Sequence, residues 1–229
     1  MGFKLLGIKE RKERNFQKRE AEILEAGKKV FYKFGIFSST MEMISNEMEI
    51  GRTTLYLHFK SKDEIMAKIL TEWYKKLRLK IENICPNRNS LEKMKLVIRE
   101  YLEHCLSHPD EYFISRVIES SVKKENISRK ILKELEEERK KRIELMENIY
   151  NEARNEGLIE DHHIYFLVGT GWGMLRGVVD VIIENHFVKE ITEKEKFFQF
   201  VEKVFFHGIL LKENHNETIG KKNSKQAFK

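Results

Sequence analysis

The chain has 229 residues, with 43 Lys and Arg against 37 Asp and Glu for a net charge of +6, and only two prolines and twelve glycines. So few punctuators exclude the many turns of an all-β protein and favour long helices, on a length that supports a sizeable core without staples. Two cysteines, Cys85 and Cys105, exclude a disulfide framework, and the apolar run after Met1 is too short and too soon charged for a signal peptide, so a reducing cytoplasm is the expected compartment.

Charge is uneven along the chain. Residues 1–62 carry thirteen Lys and Arg against eight Asp and Glu, residues 212–229 carry five against two, and the span between is slightly acidic. A basic head and tail on an acidic body is the asymmetry of a chain that meets a polyanion at one end. Residues 1–19 alternate charge with scattered apolar side chains and read as a basic arm, either a frayed helix or disordered. From Glu20, the apolar Ile23, Leu24, Val30, Phe31 and Phe34 fall at helical spacing, with Gly35 as a C-cap. Ser38, Ser39 and Thr40 offer N-cap hydroxyls for a short second helix carrying Met43, Ile44 and Met48, and a break follows at Glu49-Ile50-Gly51. Arg52 to Phe59 reads as a third helix with Leu55 and Phe59 inward, and Ser61-Lys62-Asp63-Glu64 is a capping signal for a fourth.

Beyond Lys62 the elements lengthen. Helices are predicted from Asp63 to about Cys85, where Pro86 ends it, from Ser90 to Ser107, over 110–125, from Ser128 to Glu156 with Gly157 closing it, over 162–187 and over 192–211. The helix from Ser128 would span roughly 40 Å. The expected organisation is therefore all-α: a basic arm (1–19), a three-helix DNA-binding domain (20–62), a larger helical regulatory and dimerisation domain (63–211) and a disordered basic tail (212–229).

Two short helices joined by a turn of three or four residues, with a third packed beneath, is the helix-turn-helix arrangement. The major groove of B-DNA admits one α-helix, and side chains at that helix's N-terminus reach base edges. Arg52, Thr53 and Thr54 hold those places, the arginine suited to a guanine or a phosphate and the threonines to hydrogen bonds and a thymine methyl. Tyr56, His58, Lys60 and Lys62 suit phosphates, whose contacts set register rather than sequence. Ser39 and Thr40, at the start of the second helix, complete the candidate DNA-binding set.

Residues 20–70 resemble the DNA-binding domain of the TetR family of transcriptional regulators. The resemblance is carried by Ile23-Leu24, Ala26, Val30-Phe31 and Gly35, by Thr40 and Ile44, and by the run Thr54-Leu55-Tyr56-Leu57-His58-Phe59-Lys60-Ser61-Lys62-Asp63-Glu64-Ile65. It implies phosphate contacts for Thr40, Tyr56, His58 and Lys62 and an approach to bases for Arg52, Thr53 and Thr54. It also implies a repressor that binds a near-palindromic operator as a homodimer and is released by a small-molecule effector, with its last two long helices paired in a four-helix bundle. One departure stands out: the family often has Gly in the turn where Glu49 stands, at a position that tends to take φ > 0.

Ile164 to Ile183 is the most apolar stretch and spaces Gly169, Gly173 and Gly177 at i, i+4, a smooth stripe that invites close approach of another helix. A membrane span fits the length, but Arg176 and Asp180 lie inside it and no anchors flank it, so no membrane is expected. The expected dimer interface comprises Gly169, Gly173, Gly177 and Asp180 with Phe198, Val201 and Phe205. Trp73, Tyr101, Tyr112, Phe113, Phe166, Trp172 and Arg176 are candidates for an effector pocket, although aromatic residues at helical spacing are core first. His104 and His108 sit at i, i+4 around Cys105, a spacing that chelates metals, but without a third ligand no metal is expected. No nucleophile, cofactor loop or metal set accompanies His162-His163 or the Arg176/Asp180 pair, so neither an enzyme nor a cofactor is expected.

Overall fold

A computed structural model describes residues 7–84, 88–184 and 194–210. They form α1 (Ile8–Phe34), α2 (Met41–Glu47), α3 (Arg52–His58), α4 (Lys62–Ile84), α5 (Ser90–Ser107), α6 (Pro109–Ser121), α7 (Arg129–Asn155), α8 (Ile164–Ile183) and α9 (Lys194–His207). No β-strand occurs among the described residues, only an isolated antiparallel bridge between Ile159 and Leu210. The predicted basic tail, Cys85 and Pro86 lie outside the described residues.

Local rules account for most boundaries. Thr40 caps α2 by accepting from the Met43 amide at 3.2 Å, Asn89 caps α5 by accepting from Glu92, and Pro109 begins α6, where its missing N–H loses nothing. Gly157, at φ +69°, ends α7 with amide bonds from itself to the Arg154 carbonyl and from Leu158 to that of Ala153. α6 is shorter than predicted: it stops at Ser121, and Lys124–Asn126 form a single 3-10 turn instead.

The basic arm takes the helical of its two expected forms and is continuous with the helix predicted from Glu20. Residues 8–19 are not a separate segment but the first half of α1, a helix of 27 residues. Its alternating charges lie at helical spacing, with Arg19 paired to Glu22 at 2.9 Å and the Gln17 amide on Glu13 at 3.0 Å, while Glu10 accepts from the Gly7 amide.

The chain divides into two compact units. One takes in residues 1–75 and 110–139, the other 76–109 and 140–229. The first is built on Ile23, Leu24, Val30, Phe31, Ile44, Leu55, Phe59, Ile65, Leu70, Ile118 and Leu135, all buried. Each such side chain contributes about 1.5–3 kcal/mol by leaving water. Gly27 lets α1 lie close to α4, since a Cβ there would stand 3.0 Å from Ile65 Cγ2.

In the second unit α5 packs against α8 and α9. α8 carries two seams. Leu167, Gly171, Leu175 and Val179 form the inward one, and Gly171 admits the ring of Phe205 of α9, whose Cε2 lies 3.1 Å from where a Cβ would be. Gly169, Gly173 and Gly177, half a turn away, face open space within the chain. By length and composition α8 could cross a membrane, with a mean hydropathy of 1.5 and 22% of that window buried inside the chain. Three residues expected at a dimer interface belong elsewhere: Phe198, Val201 and Phe205 are buried in their own unit, on the inward face of α9. The large apolar side chains of α9 that are left exposed are Phe200 and Val204.

Candidate nucleic-acid interface

The α2–α3 pair is fixed by a turn with little freedom. After α2, the Glu49 amide bonds to the Asn46 carbonyl at 3.1 Å and the Ile50 amide to that of Ser45 at 3.0 Å, a Schellman closure that needs a left-handed residue at position 49. Glu49 supplies it at φ 54°, as the family pattern anticipates for that place, and is the one non-glycine residue with positive φ among those described. Gly51 is then the N-cap of α3, which begins at Arg52 as predicted.

α3 turns Leu55 inward, and Phe59 closes its C-terminus, both fully buried. Arg52, Thr53, Thr54, Tyr56 and Lys60 are left exposed. The short rod and its C-cap therefore place Leu55 and Phe59 beneath and leave Arg52, Thr53, Thr54 and Tyr56 on a polar outer surface, which is what laying a helix in a groove requires. Leu57, 72% exposed, lies outside that polar set, and sequence reasoning passed over it.

Three of the expected DNA contacts have partners within the chain. Ser39 is buried, and its hydroxyl donates to the Gly35 carbonyl at 2.6 Å, so it fastens the α1–α2 connection instead of facing outward. Lys62 is half-buried, and its ammonium donates to the carbonyls of Ile36 at 2.7 Å and Ser39 at 2.8 Å. Burial pushes its pKa below the usual lysine value, against the opposing pull of Asp63. His58 turns toward α1, where Phe16 stacks on its ring with centroids 4.2 Å apart. The supposed arm thus reaches the far end of α3, through an aromatic residue whose partner lies too distant in sequence for periodicity to reveal.

His58 Nδ1 is buried without a hydrogen-bond partner, and burial lowers the ring's pKa from 6.5, with Arg19 adding to the shift and Glu20 opposing it. The unfolded chain then binds the proton more readily than the folded one. Stability contributed by neutral His58 is present above pH 6.5 and is lost as pH falls through the folded-state value. Urea midpoints taken between pH 7.5 and 5 should fall, and His58→Gln should flatten that slope; a slope unchanged in the variant refutes the assignment.

Ser61, Asp63 and Glu64 do more than cap α4. Ser61 Oγ accepts from the Glu64 amide at 3.1 Å and donates to the Asn126 carbonyl at 2.7 Å. Asp63 accepts from the Lys123 amide and from Asn126 Nδ2, and Glu64 from the amides of Lys60 at 2.6 Å and Ser128 at 3.0 Å. The α3–α4 junction is thereby clasped by residues some sixty positions away, within the first unit.

The expected pocket residues are divided between the two units. Trp73 and Tyr112 are buried together in the first unit, ring centroids 6.5 Å apart, whereas Tyr101, Phe166, Trp172 and Arg176 belong to the second. Trp172 lies under the Arg142 guanidinium at 4.2 Å, and Phe113 and Phe166 are 61% and 72% exposed, which removes both from any enclosed pocket. A cavity of about 560 Å³ does occur in the second unit, lined by Tyr150, Asn151, Arg154, His162, His163 and neighbours, none of them in the expected set. Cys105 is a buried free thiol pushed up to about 12 by burial, with Asp180 adding to the shift and Tyr101 opposing it. No group of three or more metal-ligating side chains occurs among the described residues.

Residues 23–69 match the family profile described as bacterial regulatory proteins, tetR family. Over 64 residues the chain is 34% identical to the uncharacterized HTH-type transcriptional regulator YhgD of Bacillus subtilis (strain 168), a stretch that is 28% of this chain and 34% of that protein. Over 53 residues it is 42% identical to the uncharacterized HTH-type transcriptional regulator YfiR of the same strain, covering 23% of this chain and 26% of that one. The matched segment thus spans about a third or less of these relatives' own length. Among solved structures, the transcriptional regulator FadR from Bacillus subtilis, in complex with stearoyl-CoA, aligns with a TM-score of 0.68 at 17% identity, over 82% of this chain and 98% of that one. At that identity the likeness is one of fold.

Proposed function

We propose that the chain, whose residues 23–69 match the tetR family of bacterial regulatory proteins, is a TetR-like transcriptional regulator: a cytoplasmic homodimer that lays two copies of α3 in adjacent major grooves of a near-palindromic operator and is released by a small-molecule effector. The observation that carries this reading is the outer face of α3, where Arg52, Thr53 and Thr54 stand exposed at the end that leads into a groove, above the buried Leu55 and Phe59. A two-fold axis would set the two rods about one DNA turn apart. Effector binding in the second unit would then favour a spacing that no longer fits, which makes the chain a repressor.

The test compares Arg52→Ala with Lys60→Ala on a selected operator and on random duplex. Arg52→Ala is expected to reduce base discrimination by about 1–3 kcal/mol. Lys60→Ala is expected to weaken both duplexes alike and reduce the salt slope by about one. Identical behaviour of the two variants on the two duplexes sinks these roles. Effector release is tested by adding a metabolite panel, with a long-chain acyl-CoA included because the FadR structure holds one; an operator complex that survives the whole panel counts against release.

The open seam of α8 supports the dimer. Gly169, Gly173 and Gly177 meet nothing within 4 Å, and Tyr165 and Phe166 on α8 and Phe200 and Val204 on α9 are exposed. An apolar face with a smooth glycine stripe permits close approach of a second helix, here the same face of a second copy. Gly173→Leu has room inside its own chain, so it should leave the helix content and unfolding midpoint intact while converting the dimer to monomer in sedimentation. A fully dimeric variant eliminates this face as the interface.

A further inference from the structure

Glu42 was not among the residues that the sequence singled out, yet it contacts the leading candidate for base recognition. Its carboxylate is ion-paired with the Arg52 guanidinium, across the gap between the first turn of α2 and the first residue of α3. Both ends are anchored. The Glu42 carbonyl accepts from Ser45 Oγ at 2.9 Å two residues after the Thr40 cap, and Arg52 follows the Gly51 cap. Both side chains are more than half exposed, so the pair adds little to stability, and its location on the outer face needs another explanation.

An unpaired carboxylate on a surface that meets a polyanion would repel it. Paired with Arg52, that charge is neutralised, and the guanidinium, which has five N–H donors in a fixed fork, keeps donors to spare after one edge is engaged. A flexible arginine is thereby restrained before it meets DNA. We infer that Glu42 is a positioning residue for Arg52: the ion pair holds the guanidinium so that its free edge meets the O6 and N7 of a guanine, and discrimination at that base pair depends on both side chains. The inference rests on the DNA-binding reading given above.

The experiment uses the full chain and a pool of duplexes randomised over about twenty base pairs, with the bound fraction sequenced for wild type, Glu42→Gln, Arg52→Ala, Arg52→Lys and the Glu42→Gln/Arg52→Ala double variant. Wild type should enrich a motif with a guanine at one position of each half. Glu42→Gln should lower the preference for that guanine by about ten-fold, leaving the other positions and the unfolding midpoint unchanged. Arg52→Lys, which keeps the ion pair but not the fork, should lose the same preference, and Glu42→Gln should add no further loss in the Arg52→Ala background. A Glu42→Gln motif as sharp as wild type at every position overturns the inference, as does uniformly tighter binding with the preference intact, which would make Glu42 a brake on phosphate contact. Equal weakening at every position with a lowered midpoint also overturns it, since Glu42 would then act through the folding of α2. If wild type enriches no motif, the DNA-binding reading itself falls, and the inference with it.

Discussion

Glu64→Ala is expected to lower the stability of the first unit by about 3 kcal/mol, because two backbone amides lose a charged acceptor at once. The Glu64 side chain is 2% exposed, and its two oxygens accept separately from Lys60 at 2.6 Å and from Ser128 at 3.0 Å. Alanine fills neither place and leaves two N–H groups without their charged acceptor. Each hydrogen bond to a charged group is worth roughly 1.5–3 kcal/mol, so the sum approaches a large share of a small domain's margin. Glu64→Gln keeps one acceptor oxygen and should fall between alanine and wild type. Urea unfolding of the three proteins at one pH measures this order. An alanine variant whose midpoint matches wild type removes the clasp from any account of how the α3–α4 junction is held. Operator affinity should fall with it, since Lys60 directly follows the buried Phe59 that closes α3.

The same residue shows what the sequence can and cannot disclose. Ser61 and Glu64 are legible as a capping pair, because three-residue spacing and a following apolar run follow directly from helix geometry. That Glu64 also receives the Ser128 amide depends on a connection sixty-four residues away, and no local pattern encodes it. The break between α2 and α3 was legible for the opposite reason: its boundaries are set by Thr40, Glu49 and Gly51 within a dozen residues, although the left-handed conformation of Glu49 was not. The outward placement of Arg52, Thr53 and Thr54 followed from the inward placement of Leu55 and Phe59. Phe16 was hidden because an aromatic residue amid charges resembles an exposed accident until its partner His58 is known. α9 misled differently. Its apolar face was legible, but nothing in a helical period tells a seam that meets its own chain, such as Phe198 and Phe205, from one that faces outward, such as Phe200 and Val204. The pocket residues failed for a related reason, since buried aromatics share a spacing whether they pack a core or line a cavity.

Lys62→Met is the variant on which the sequence and the structure make opposite forecasts. If the ammonium held a phosphate, its loss would weaken every duplex alike and reduce the slope of log affinity against log salt by about one. The geometry instead gives the ammonium to two carbonyls, Ile36 at 2.7 Å and Ser39 at 2.8 Å, which bracket the connection leading to the Thr40 cap. Methionine preserves the apolar stem and removes only these bonds, so the expected loss is about 2–4 kcal/mol of stability, from two charge-assisted bonds and partial repacking. Affinity for all duplexes should then fall because Thr40 and the N-terminus of α2 are less well fixed, while the salt slope stays that of wild type. Measuring both quantities on one preparation separates the cases: a normal midpoint with a reduced slope returns Lys62 to the phosphate-contacting set, whereas a lowered midpoint with an unchanged slope assigns it to the loop. The second outcome follows from elementary accounting of donors, since a half-buried ammonium already bonded to two carbonyls has one N–H left, and any phosphate it reached would have to compete with the backbone it already holds.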